Sequence, residues 1–410
     1  MVDQYNIIGI STLIISISTF IIIKKKFSLI SFISIAWLGL FVYSTPVFLN
    51  FTRKIYYSLY DPTYLVIPSD QSKIVYLLFW LGFLLNLVIT KKKNKIILRN
   101  LEKDSLNVFY LICKINLVLY FFYYIFLSNQ NSFLLLIARW LFTFVLIIYA
   151  IQGNKLKIFL LYLILVTYSI YVPDRTLLVV SFFTTIIVYV YHNYLKINFR
   201  SIVFFSALLV FFIFIIIFNK MFHNIYIHKF KLPDFGFLDT LNNLNRSFEP
   251  LIVFAHSEII INVKNFDTLK YLKSISSNLL IFPSYFGFEN NYYYKTLIEN
   301  IPIYVSYGLG GSIFASTYIA FGYAGVFLFS YLYSFTIVKI DFYVKNSKSL
   351  NSIFGTIVLG LLTTYIFRNS LDNFLSFIRQ ILVLYVILRL QLFLILKLKK
   401  LIYENSSFNK

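Results

Sequence analysis

Thiols and acids are what this chain lacks. Its one cysteine, Cys113, lies inside an apolar run, so a disulfide framework is excluded. Carboxylates number 16 against 37 lysines and arginines. All sixteen fall in connections or tails by the hydropathy reading, none within an apolar run. Proton-coupled transporters rely on acid or histidine relays at membrane depth, and cation channels on acidic rings or carbonyl filters. Neither pattern is present. His223 and His228 have no cysteine or acid at ligand spacing, so no metal is expected. There is no G-K-[ST] nucleotide loop, no fixed-period repeat, no low-complexity tail and no second soluble domain.

What is abundant is apolar surface. Hydrophobic residues make up 59% of the 410, aromatics 20% and charged residues only 13%, for a mean hydropathy of +0.78. Such a chain cannot furnish both a core and a wetted surface. The expected class is an all-α polytopic integral membrane protein. About eleven segments approach the roughly 17 to 25 apolar residues a bilayer crossing needs: 5–23, 27–49, 74–90, 106–127, 133–151, 157–173, 176–193, 201–218, 318–338, 351–367 and 373–396. The first of these is followed by lysines rather than a small-residue cleavage site, so it reads as a retained span.

The net charge of +21 raises the question of nucleic acid. The basic residues, however, cluster between apolar runs, as in Lys24–Lys26, "KKKNK" at Lys91–Lys95 and "KLKK" at Lys397–Lys400. This is how cytoplasmic membrane flanks look, and no nucleic-acid partner is expected. With the N-terminus outside, the lysine clusters share one side. The short connections on the other side hold only Arg53, Lys54, Lys73, Arg175 and Arg368. That asymmetry marks the lysine side as cytoplasmic.

The division expected is an N-terminal bundle of eight spans over 1–218, a large extracytoplasmic loop with interfacial helices over 219–302, three spans over 303–396 and a cytoplasmic tail over 397–410. Long translocated loops are exempt from the charge rule, and loops of this length are commonly functional. Within the loop, "LIVFAHSEIIINV" is too short to span and reads as an interfacial or re-entrant helix.

Cations at membrane depth are the next signal. Lys114, Arg139, Arg379 and Arg389 fall within spans. Each costs at least about 2.5 kcal/mol unless it snorkels. Arg389, near the inner end of the last span, can do so; for Lys114 no account is evident. Arg139 and Arg379 sit roughly 9 to 12 Å below the outer surface at 1.5 Å per residue. They need backbone carbonyls, lipid phosphate or an anionic ligand. Arginine suits phosphate because its planar fork donates two parallel hydrogen bonds and keeps its charge.

Four motifs carry the candidate chemistry. "VPDRTLL" puts Arg175 beside an outer helix start, either as half of a solvated pair with Asp174 or as a phosphate hook. "NRSFEPLIVFAHSE" offers Arg246, Glu249, His256 and Glu258: a base for a hydroxyl and a cation for a leaving phosphate, or solvated groups on a surface helix. "FRNSLDNFLSFIRQ" carries Arg368 and Arg379 eleven residues apart, on one face if the helix is continuous. "YGLGGSIFASTYIAFGYAG" sets Gly310 and Gly311 before a span, where backbone N–H groups can form an anion nest or let a helix approach closely. Tyrosines in "ENNYYYK" suit sugar stacking or an interfacial belt.

Taken together, "DRTLLVV", the long late loop, the glycine motif after it and "FRNSLDNFLSFIRQ" resemble the Wzy-type O-antigen and capsule polymerases, which polymerise oligosaccharide repeat units. The family's glycine motif often carries a glutamate where this chain has Ser316, so an acid's role does not carry over there. The resemblance implies a GT-C-like fold in the bacterial cytoplasmic membrane with an outward active site. It implies en bloc transfer of a growing glycan from undecaprenyl pyrophosphate to the non-reducing end of an incoming lipid-linked repeat unit, without metal or other cofactor. Arg175, Arg246, Arg368 and Arg379 would bind the pyrophosphate, joined by Arg139, Gly310 and Gly311, with Glu249 or His256 as the base. Membrane lipid, a chain-length regulator and a flippase would be partners. The rivals are an O-antigen ligase, a polysaccharide or lipid flippase without chemistry, and a membrane scaffold.

Overall fold

The computed structural model describes residues 6–49, 53–55, 64–66, 68–91, 103–127, 133–171, 175–193, 203–211, 249–263, 266–280, 292–300, 311–347 and 349–408. These are helical apart from one short antiparallel pair, β1 (Arg53–Ile55) with β2 (Tyr64–Val66), and the connecting turns. Six of the helices described are long and apolar enough to cross a membrane: Ile7–Lys26, Asp70–Ile89, Thr176–Asn193, Ile313–Asn346, Leu350–Arg368 and Leu371–Leu401. Shorter apolar helices lie at Phe32–Phe48, Asn107–Tyr123, Leu136–Gln152 and Ile252–Ile261. The chain is a helical membrane protein. It divides into two compact units: Met1–Asn94 with Ile216–Asp341 and Leu359–Phe377, and Lys95–Ile215 with Phe342–Val358 and Ile378–Lys410.

In the first unit, α1 (Ile7–Lys26), α2 (Phe32–Phe48) and α3 (Asp70–Ile89) form a bundle. Gly9, Thr12, Ser16, Thr19 and Ile23 recur at three- and four-residue steps and are the buried face of α1. Ile7, Ile10, Ile14, Ile17 and Ile21 are its exposed face. Small residues inward let backbones approach, the arrangement that drives helix association where lipid is as apolar as leucine. Trp37 accordingly reaches the Ser16 carbonyl at 2.9 Å. At the far end, the Lys26 ammonium donates to the carbonyls of Leu87, Val88 and Thr90 at 2.8, 2.7 and 2.8 Å. These are the acceptors a helix end leaves open. Lys24–Lys26 and Lys91 thus lie at one end of the bundle.

The long connection contributes α9 (Glu249–Ile261), α10 (Thr268–Ser277) and α11 (Tyr292–Asn300) to this unit. Residues 253–261 are buried throughout. This helix therefore lies inside the unit, against α2, α3 and α11, and not on a solvated surface. Its polar groups are carried inward because Val253, Phe254, Ile259 and Ile260 cover its circumference. Ile313–Asn346 (α12) breaks at Gly322, whose φ of 66° and ψ of −168° are not helical. The expected 318–338 span is the part beyond this kink together with the end of a preceding half-helix. An aromatic core of Tyr76, Phe254, Phe314 and Phe367 ties these pieces together, with ring centroids 4.1 to 6.0 Å apart.

The second unit holds α4 (Lys103–Leu127), α5 (Phe133–Ala138), α6 (Leu141–Gln152), α7 (Lys155–Tyr171), α8 (Arg175–Asn193) and residues 203–211. Hydroxyl pairs join its helices: Thr143 with Ser181 at 2.7 Å, Tyr120 with Tyr168 at 2.8 Å and Tyr162 with Thr185 at 3.2 Å. Such bonds average about 0.6 kcal/mol in a membrane. The expected continuous span 133–151 is interrupted at Arg139 and Trp140, where the chain makes a turn between α5 and α6.

Candidate functional site

Ser69 caps the start of α3 by accepting from the Ser72 N–H. The Ser69 backbone N–H is directed at Glu258, whose Oε1 accepts it at 3.0 Å. The Ser69 hydroxyl and the Asn262 amide reach Oε2 at 2.9 and 3.1 Å. A carboxylate here also meets the positive end of the helix dipole. Glu258 is nonetheless 5% exposed. Burial pushes its carboxyl above the ordinary range, against the hydrogen bonds from Ser72, Ser69 and Asn262 that favour the ion.

The same unit holds a pocket of about 500 Å³, whose lining does not include Glu258. Gln71 and Tyr318, hydrogen-bonded to each other, form one wall, and Ile260, Ile261, Phe266 and Thr268 line the remainder. The kink at Gly322 is at its edge. No atom lies within 4 Å of where a Cβ on Gly322 would be, so the glycine is required by its backbone conformation and not by crowding.

A second polar group is buried in the same unit. The chain leaves Leu350–Gly360 (α13) through a wide turn at Leu361–Tyr365 and a tight one at Ile366–Arg368, runs extended at Asn369, and enters α14 (Leu371–Phe408). The Leu371 N–H donates to Ser316 at 3.2 Å. Asp372 is fully buried. It accepts from the Asn373 N–H at 2.9 Å and from Ser274 of α10 at 3.3 Å, while Ser274 accepts from the Tyr292 N–H of α11 at 3.4 Å. One carboxylate thus binds the loop helices to the start of a membrane helix. Burial, then the nearby Asp372 charge, pushes the Tyr271 phenol upward, so it stays a neutral donor.

The predicted residues divide between the units. Glu249 opens α9, and His256, fully buried, lies within it. Gly311 packs against the Arg368 turn: a Cβ there would be 2.4 Å from the Ser370 nitrogen and 2.9 Å from the Tyr294 hydroxyl. Close approach is therefore what this glycine provides. Arg368 is half-buried and precedes the extended residue, so it shares no continuous helix with Arg379. The condition for a common face is not met.

In the second unit, Arg175 is the first residue of α8. Arg139, 9% exposed, donates to the Gln380 side-chain oxygen at 3.3 Å, and Trp140 reaches the same oxygen at 3.4 Å. Arg139 therefore has an amide carbonyl as partner, beside the half-buried Arg379. Lys114, unexplained by sequence, lies 4.3 Å from the centre of the Tyr110 ring one turn earlier, a cation–π contact. Arg246, Gly310, His223 and His228 lie outside the described residues.

Sequence reasoning named Glu258 beside Glu249 and His256 without foreseeing its burial against Ser69, and placed Asp372 in a connection. Hydropathy assigns a polar residue between apolar runs to water. It cannot see that such segments fold back into the protein. The pairing of "HSE" with an otherwise apolar dozen was the available signal for Glu258.

No family model, no curated protein and no solved structure matches this chain.

Proposed function

We propose that the chain is a membrane glycosyltransferase of the Wzy type. It transfers a growing glycan from undecaprenyl pyrophosphate to an incoming lipid-linked repeat unit at the outer face of a bacterial cytoplasmic membrane. The observation that carries this reading is the arrangement along α3. Lys26, from the first lysine cluster, bonds to the helix's end, while Glu258, from the long connection, bonds to its beginning. Twenty residues at 1.5 Å each put about 30 Å between them, one bilayer core. If lysines mark the cytoplasm, the long connection works outside.

In this reading the acceptor hydroxyl attacks the anomeric carbon and the diphosphate departs. Arginine stabilises the charge developing on it, electrostatic help that needs no metal, the candidates being Arg246 and Arg368 in the first unit and Arg175 and Arg379 in the second. Cells lacking the protein should carry single repeat units on the acceptor. Long chains retained on the lipid carrier would instead indicate a ligase. Complementation with Arg175→Ala or Arg368→Ala should leave polymer at least about a hundred-fold reduced, the scale of losing one charge-stabilising donor. Full chain length from both variants would overturn the assignment.

A further inference from the structure

We infer that the pocket of the first unit is a subsite for an uncharged sugar ring of the lipid-linked repeat unit, apart from its diphosphate. This rests on the glycosyltransferase reading and adds the subsite and the class of group it takes. The pocket is built largely from helix ends. Ile260 and Ile261 are the last residues of α9, while Tyr318, Ile319 and Ala320 close the half-helix that runs from Ile313 to the kink at Gly322. A helix leaves its last four carbonyls without an intrahelical partner, and that end carries the negative pole of the dipole. Two such ends at one cavity favour groups that donate hydrogen bonds and disfavour anions. One of the carbonyls already serves a hydroxyl: Thr268, itself in the lining, donates to the Ile319 oxygen at 3.2 Å.

Among the described residues, the lining carries no lysine, arginine, histidine or carboxylate. A diphosphate would find no counter-charge there, and an amine would find no acid. Neutral hydrogen-bonding groups stand in their place. Gln71 gives one amide proton to the Tyr318 hydroxyl, which leaves the amide oxygen as an acceptor and the phenol proton as a donor. Phe266, held against Tyr271 and Tyr292 at 5.6 and 5.5 Å between ring centroids, adds aromatic surface. A pyranose has the matching character, with apolar C–H faces and a rim of hydroxyls. About 500 Å³ falls within the range of small-molecule sites. Gln71 is in the first turn of α3, the end that Glu258 meets. Under the proposed orientation the pocket therefore belongs to the outer side, where repeat units are presented.

The test is protection from labelling on the purified full-length protein in detergent. Val263→Cys puts a thiol in the lining at a half-buried position, and the other thiol, Cys113, is buried. The probe is the repeat-unit oligosaccharide released from the cells' own glycan and freed of phosphate. It should slow maleimide modification of Val263→Cys several-fold, whereas inorganic pyrophosphate or sodium chloride should not. Adding Gln71→Leu should raise the protecting concentration about 2- to 10-fold, as loss of a neutral hydrogen bond would. No protection by the oligosaccharide, or equal protection by pyrophosphate or by the salt, would overturn the inference. In cells lacking the protein, Val263→Trp, which fills the pocket, should accumulate normally and make less polymer. Full-length glycan from Val263→Trp, with Arg368→Ala inactive, would overturn the subsite and leave the enzyme reading intact. Full length from both would overturn the two together. Should Val263→Trp fail to accumulate, Gln71→Leu decides: less polymer at normal protein level supports the subsite, and normal polymer overturns it.

Discussion

Glu258 shows how burial and hydrogen bonding oppose each other at a single carboxyl group. Three donor groups from Ser69 and Asn262 favour its ion, yet removal from water outweighs them and raises its proton affinity. That direction has a stability consequence opposite to the usual one for an acid. The folded state binds the proton more tightly than the unfolded state, so this group's contribution is fully present below the ordinary carboxyl value of 4.5 and is lost as pH rises through the folded value. In detergent, the melting temperature of wild type should therefore fall, relative to Glu258→Gln, as pH is raised from about 4.5. Parallel melting curves across that range would show that Glu258 is not protonated preferentially in the fold. The sign of this effect was not legible in the residue order. The letters "HSE" announced polar groups on an apolar segment, but whether water or Ser69 would meet them depended on a partner 189 positions away.

Helices were more legible than their interruptions. Apolar run length placed α1 and α3 within a few residues of their observed bounds, since a 20-residue apolar stretch has few alternatives in lipid. The break at Arg139, the wide turn at Leu361–Tyr365 and the kink at Gly322 were not legible as such. They change hydrogen-bond pattern without changing hydropathy. Close approach at Gly311 was anticipated as one of two uses for the glycine motif, and Ser370 supplies the neighbour. Helix ends also depend on distant groups, and Lys26 is the clearest case. Its ammonium serves three carbonyls at the end of α3. Lys26→Met should lower unfolding stability by about 1.5 to 3 kcal/mol, the worth of hydrogen bonds to a charged group. Lys25→Met, at an exposed neighbour, should change it by less than about 0.5 kcal/mol. Equal effects from the two would mean that the lysines act only as membrane-flank charges, and measurement of thermal unfolding in one detergent decides between them.

For the molecule as a whole, orientation is the property on which the enzyme reading depends, and charge is its source. With 37 basic residues against 16 acids, the lysine clusters select one side because cytoplasmic flanks retain them during insertion. Within the first unit, Lys26 and Glu258 bond to opposite ends of α3, so under the proposed orientation α9 belongs to the outer side. The sole cysteine, Cys113, is fully buried, so wild type offers a low-reactivity background for labelling. Leu269 on α10 and Ile298 on α11 are 73% and 62% exposed, and Leu156, in the connection assigned to the cytoplasm, is 67% exposed. A membrane-impermeant maleimide should label Leu269→Cys and Ile298→Cys on intact cells. It should label Leu156→Cys only after permeabilisation. The reverse pattern would put α10 and α11 in the cytosol. A lipid-linked substrate presented outside would then never meet the long connection, and the transferase reading would fall with it.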